Sequence, residues 1–164
     1  MRVKLMYRYE SENMIRTPIV IMTVMTVLCG IAAHAGKNNN SPTKHLFTAV
    51  KRGDIQKVRK CLQEGANASE LVERHTSALH KAIFLGEKQI AFELIDHTTH
   101  VNVKGGQYNA SPLHLASYWG DIELVRHLVE KKASVNVTDE RGVTPLHLAL
   151  SYHNYEVAKY LIDK

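Results

Sequence analysis

A chain of 164 residues, 45% hydrophobic and 23% charged, has the size and composition of one ordinary globular domain, which excludes a disordered or fibrous protein. Its formal charge is +5; without residues 1–35, Lys and Arg fall from 21 to 17 and Asp and Glu from 16 to 14, leaving +3. That bias is too weak for a nucleic-acid footprint, so no nucleic-acid partner is expected.

The chain opens with the three parts of a secretory signal: basic residues up to Arg16, an apolar run over residues 19–33 (IVIMTVMTVLCGIAA), and a small-x-small cleavage site, Ala33-His34-Ala35. The run of 15 suits a signal's hydrophobic region and falls short of the about 20 residues that a helix needs to cross a bilayer. Cleavage after Ala35 and export to a periplasm or beyond are therefore expected. The alternative is an inner-membrane anchor, with residues 19–33 retained; only then is a membrane a partner. Cleavage removes Cys29 and leaves Cys61 alone, so no internal disulfide forms, which fits a bacterial periplasm better than an animal extracellular space. Asn67, Asn109 and Asn136 open glycosylation triplets that matter only in a eukaryotic secretory route.

A polar linker, residues 36–43 (GKNNNSPT), leads into a repeat. Ser111-Pro112-Leu113-His114-Leu115-Ala116 recurs 33 residues on as Thr144-Pro145-Leu146-His147-Leu148-Ala149, and 34 residues back as Ser77-Ala78-Leu79-His80-Lys81-Ala82. A fainter copy runs from Lys44 through Leu46 to Ala49. Gly53, Gly86 and Gly120 each follow the alanine by four residues, and Cys61-Leu62, Leu94-Ile95, Leu128-Val129 and Leu161-Ile162 form an apolar pair in every unit. The pattern resembles the ankyrin repeat, with its period of about 33 and its T-P-L-H-x-A motif. The resemblance covers residues 44–164 in four units, 44–76, 77–110, 111–143 and 144–164. It implies an all-α solenoid of about four helix-turn-helix units with short β-hairpin fingers.

Within each unit, in chain order, a Ser or Thr caps the first helix, and in units three and four a proline follows in the first turn, where no N–H is needed. The alanine allows close approach of neighbouring helices, and the glycine ends the helix in a left-handed conformation. A second helix carries a buried stripe through Val58, Ala91, Val125 and Ala158. Turn-forming residues then lead into the finger, and the finger between units two and three holds one extra residue in KGGQYNA, residues 104–110, where irregular backbone is expected. Residues 156–164 (EVAKYLIDK) bring no polar capping repeat, so that face is expected to be either weakly stable or used in self-association.

No catalytic residue, metal site or cofactor is expected. His80, His114 and His147 recur one per unit, and stacked helices stand about 10 Å apart, too far for ligands to share an ion that holds each near 2 Å. His97 and His100 have no carboxylate or thiol placed beside them. Cys61 stands in the apolar-pair column, as a buried thiol would. Gly105-Gly106 lacks the lysine and helix of a phosphate loop. Lys51, Arg52, Lys57, Arg59 and Lys60 make unit one basic, as a solvated end face would be.

Between alanine and glycine the units read Lys51-Arg52, Phe84-Leu85, Tyr118-Trp119 and Ser151-Tyr152. The family resemblance makes these positions, with the finger tips, the lining of a concave groove where partners bind. An exposed run of such rings marks an interaction site, and Trp and Tyr dominate binding hot spots. Phe84, Leu85, Tyr118, Trp119, Ser151 and Tyr152 are therefore the first candidates. Gln107, Tyr108 and Ala110 on one finger, with Thr138, Glu140, Arg141 and Val143 on the next, are the second. The reading is an exported ankyrin-repeat adaptor that binds another protein and catalyses nothing; the alternative is a membrane-anchored or self-associating structural ankyrin protein.

Overall fold

The computed structural model describes residues 41–106 and 108–164. The expected signal and cleavage site, the linker up to residue 40, and Gln107 lie outside the described residues. Among the described residues there are eight helices and one two-stranded sheet: α1 (Pro42–Lys51), α2 (Ile55–Gln63), β1 (Leu71–Glu73), β2 (Thr76–Ser77), α3 (Ala78–Leu85), α4 (Lys88–His97), α5 (Pro112–Trp119), α6 (Ile122–Glu130), α7 (Pro145–Ser151) and α8 (Tyr155–Ile162). None of these helices is long and apolar enough to cross a membrane.

Local sequence accounts for the helix starts. Ser77 Oγ and Thr144 Oγ1 each accept from the N–H three residues on, at 3.3 Å. In units three and four the motif histidine answers: His114 Nδ1 accepts from Ser111 N–H and His147 Nδ1 from Thr144 N–H, both at 3.1 Å. Histidine thus fills the place that Glu or Gln takes in a capping box, and two otherwise orphaned donors are satisfied at once. Unit one lacks this device, because Phe47 stands where the histidine would be, and its helix begins earlier, at Pro42. The second helices of units one and three are capped by Asp54 and Asp121, which accept from Lys57 N–H at 3.0 Å and Leu124 N–H at 3.1 Å.

Helices α1, α3, α5 and α7 pack in sequence as one row, and α2, α4, α6 and α8 as a second. The alanine column makes the first row possible: Ala49, Ala82, Ala116 and Ala149 are at most 1% exposed. Leu46, Leu79, Leu113, Val58, Ala91, Val125, Leu94 and Leu128 complete a core that runs through all four units. Cys61 belongs to it, and burial pushes its thiol up, away from the reactive thiolate. Ser117 stands where units one and two bury Val50 and Ile83; its hydroxyl is fully buried and finds no hydrogen-bond partner among the described residues. At the far end Leu150, Tyr155 and Ile162 are exposed on the last unit.

The fingers depart from the expected series of hairpins. Among the described residues only the first has paired strands, closed by Arg74 and His75, both left-handed at φ 49° and 55°. The second is reduced to one bridge, Gly105 to Ala110, and Asn109 sits at φ 52°, in line with the irregular backbone expected there. In the third, Asp139 builds the turn in place of a ladder: its Oδ1 accepts from Arg141 and Val143 N–H at 2.8 and 2.9 Å. Backbone bonds join finger to finger, Gly106 N–H to His75 C=O at 2.9 Å and Glu140 N–H to Tyr108 C=O at 3.1 Å.

Candidate functional site

The C-terminal turns of α3, α5 and α7 bring four aromatic side chains into one series. Phe84 meets Trp119 with ring centroids 6.4 Å apart, Trp119 meets Tyr118 at 5.0 Å, and Tyr118 meets Tyr152 at 4.3 Å, every pair edge to face. That geometry sets the positive edge of one ring against the negative face of the next, and each pair contributes about 0.5–1.5 kcal/mol beyond its buried area. Tyr118 is half-buried and locks the series, whereas Phe84, Trp119 and Tyr152 keep 57, 52 and 52% of their surface open. The two rings before Gly120 thus divide the work: Tyr118 is scaffold, and Trp119 is presented outward.

These rings form one wall of a groove of about 1020 Å³, and the first, second and third fingers form the opposite side. The finger side is fixed from behind by the motif histidines. His80 Nε2 donates to Ala110 C=O at 3.0 Å and His114 Nε2 to Val143 C=O at 2.9 Å, so each inner helix holds the following finger. Burial lowers the proton affinity of both rings, more than those carbonyls raise it, and keeps them neutral near pH 7. At the third finger, Arg141 bonds Asp139 Oδ2 through Nε at 3.0 Å and Nη2 at 2.8 Å, and its guanidinium lies 3.8 Å from the Tyr108 ring centroid. Burial pushes the Asp139 carboxyl up, but Arg141 and the backbone donors outweigh it, leaving it below the usual carboxylate range.

Of the residues expected from sequence, Phe84, Tyr118, Trp119, Tyr152, Tyr108, Ala110 and Arg141 line this groove. Leu85, Ser151, Glu140, Thr138 and Val143 do not line it. Neighbours on a helix differ by about 100° in direction, so a paired position delivers both side chains only where they are large rings, as at Tyr118 and Trp119. Val143 serves through its carbonyl, the acceptor for His114, and Thr138 through its own, which accepts from Lys104 Nζ at 2.7 Å. Gln107 lies outside the described residues. Sequence reasoning missed Lys81, Leu115 and Leu148, which also line the groove. They hold the x of the T-P-L-H-x-A motif in three units, and that varying column beside an invariant one was the available signal.

The remaining chemistry is quiet. Unit one's basic residues are partly neutralised, Lys51 by Glu73 at 3.3 Å, Arg59 by Glu93 through Nε at 2.8 Å and Lys60 by Glu64 at 3.9 Å, in keeping with a solvated face. His97 Nδ1 bonds Glu93 C=O, and among the described residues no three His, Cys, Asp or Glu side chains converge on an ion position.

Comparison with known proteins supports the repeat. Residues 113–162 match the model of the family described as ankyrin repeats (many copies). Over 98 residues, 57% of this chain, it is 34% identical to a palmitoyltransferase AKR1 of Lachancea kluyveri and covers 13% of that protein. The namesake from Kluyveromyces lactis is 33% identical over 98 residues, with 13% covered, and the diacylglycerol kinase zeta of Rattus norvegicus is 29% identical over 102 residues, with 11% covered. The chain therefore spans about an eighth of its curated relatives or less. Their sources are eukaryotic, which gives no support to the bacterial origin expected from the N-terminus. They also correct the expectation of a chain outside the enzymes: over part of its length it is similar to named transferases and a kinase.

Proposed function

We propose that residues 41–164 form a short ankyrin solenoid that binds another protein along the groove walled by Phe84, Trp119, Tyr118 and Tyr152. The observation that carries this is the ring series itself: aromatic side chains from three consecutive units touch one another, yet three of the four leave about half their surface to solvent. An open, preformed aromatic wall loses little side-chain freedom when it is covered, which favours a binding surface over an accident of packing.

The test is crosslinking capture with the full chain, comparing wild type with Tyr118→Ala plus Trp119→Ala after circular dichroism establishes that both fold. Removing the outward-facing Trp119 together with Tyr118, the ring that locks it in place, weakens binding by at least about 30-fold, so the captured protein is expected to be lost. Equal capture by the folded variant defeats the groove reading.

We also propose export, resting on residues 16–35 alone. The purified protein is then expected to begin at Gly36, and an N-terminus still carrying residues 19–33 rejects it.

A further inference from the structure

The lining of the groove holds more cations than carboxylates: Arg74, Lys81 and Arg141 against Asp139. On the outer row several cations meet carboxylates: Arg59 meets Glu93, Lys88 meets Asp121 and Glu123, and Lys131 meets Asp96. In the groove Arg141 is neutralised by Asp139, and the two histidines are held neutral by burial. Two lining cations remain, Arg74 at the tip of the first finger and Lys81 on α3, and neither forms an ion pair among the described residues. Lys81 Nζ stands 5.5 Å from the Phe84 ring centroid, so one of these charges sits directly on the aromatic wall. Glu140, on the third finger, does not line the groove. The lining thus combines an open apolar wall with a local charge of +2 that the protein itself leaves uncompensated.

We infer that the partner in this groove is an extended acidic peptide segment, with carboxylates facing Arg74 and Lys81 and an apolar side chain packed on the exposed surface of Phe84 and Trp119. This rests on the groove reading above and names the chemistry of its occupant. Carboxylates on the partner complete the two unpaired cations, steer the encounter and fix the register, while the rings supply the anchor. A basic segment would bring like charge to Lys81 and Arg74. A cation-binding aromatic cage is disfavoured for the same reason, since Lys81 already lies against the Phe84 face.

The probe is a fluorescein-labelled twelve-residue peptide alternating Glu with Leu and Phe, titrated with the full chain. Anisotropy reports the peptide, and emission of Trp119, the chain's single tryptophan, reports the groove. The expected result is saturable binding with a shift in Trp119 emission. The Arg74→Glu and Lys81→Glu variants each weaken it about 5- to 10-fold, and raising salt from 50 to 300 mM weakens it in wild type. Arg74→Gln and Lys81→Gln fall between, which separates charge from damage to the fold. The inference is overturned if no peptide binds, if a peptide with Lys in place of Glu binds as well, if the charge reversals change nothing, or if only vesicles containing phosphatidylserine shift Trp119. Its failure is distinct from that of the groove reading: a capture that needs Tyr118 and Trp119 but ignores Arg74 and Lys81 keeps the groove and discards the acidic partner.

Discussion

Gly120→Ala is expected to destabilise the fold by about 3 kcal/mol, against about 1 kcal/mol for Gly86→Ala, although the two glycines hold the same place in consecutive units. Both end an inner helix at φ 73°, so both changes carry the left-handed strain of a residue with a Cβ. They differ in what that Cβ meets. At Gly86 nothing lies within 4 Å, whereas at Gly120 it falls 2.4 Å from Asn154 Oδ1 and 2.7 Å from Asn154 Cγ. A side chain can often swing away, but this one is held, because Asn154 Nδ2 donates to Ser117 C=O at 2.9 Å and Tyr118 C=O at 2.8 Å. Relieving the clash breaks two bonds that tie the last unit to the end of α5. Urea unfolding of the two variants measures the difference, and adding Asn154→Ala to Gly120→Ala is expected to cost less than the sum of the single changes. Equal losses at the two glycines mean that Asn154 yields freely and the argument fails.

That contrast shows which part of the molecule was legible in its sequence. The caps, the alanine column, the glycine stops and the buried stripe obey local rules that recur every 33 or 34 residues, so four noisy copies reinforce one another. At the fourth copy His153 takes the glycine's place and accepts φ 59°, a departure the period exposes but does not explain. The ring series was legible for the same reason, since Phe84 and Tyr118 share one column of the repeat and Trp119 and Tyr152 the next. Contacts made by only one unit were not legible. Asn154 breaks the acidic pattern of Asp54, Glu87 and Asp121, and its reach to the carbonyls of α5 depends on how two units stack. The third finger's turn depends on one buried aspartate, which nothing periodic announces. The unpaired charge of Arg74 and Lys81 emerges only when the ion pairs around the groove are traced in three dimensions. The similarity to transferases and a kinase has no signature in the repeat itself, because the fold of a repeat scaffold does not fix its function.

The second large effect is expected at the histidine ladder. His114→Ala is predicted to cost about 2–4 kcal/mol, and His147→Ala less than about 1 kcal/mol, although both residues occupy the motif position. His114 is fully buried and joins the start of α5 to the third finger: Nδ1 accepts from Ser111 N–H while Nε2 donates to Val143 C=O. Its loss leaves a cavity, a capping donor and a finger carbonyl unpaired away from water. His147 is exposed and keeps only the capping half, bonding Thr144 N–H at 3.1 Å, with no backbone carbonyl accepting from its Nε2 among the described residues. The same burial sets a pH dependence. His114 and His80 both titrate below their ordinary value of about 6.5 in the fold, so between the folded and unfolded values the unfolded chain binds more protons. Their contribution is therefore complete above about pH 6.5 and declines as pH falls below it. Asp139 and Asp96, whose carboxyls are lowered, act in the acid range below about pH 4 and leave the window from pH 7 to 5 to the histidines. Urea midpoints for wild type are expected to drop across that window, and His114→Ala to flatten the slope. An unchanged slope in the variant would falsify the assignment of the acid-sensitive step to the buried ladder, and a large loss at His147 would show that the capping half, not the bridge from helix to finger, carries the stability.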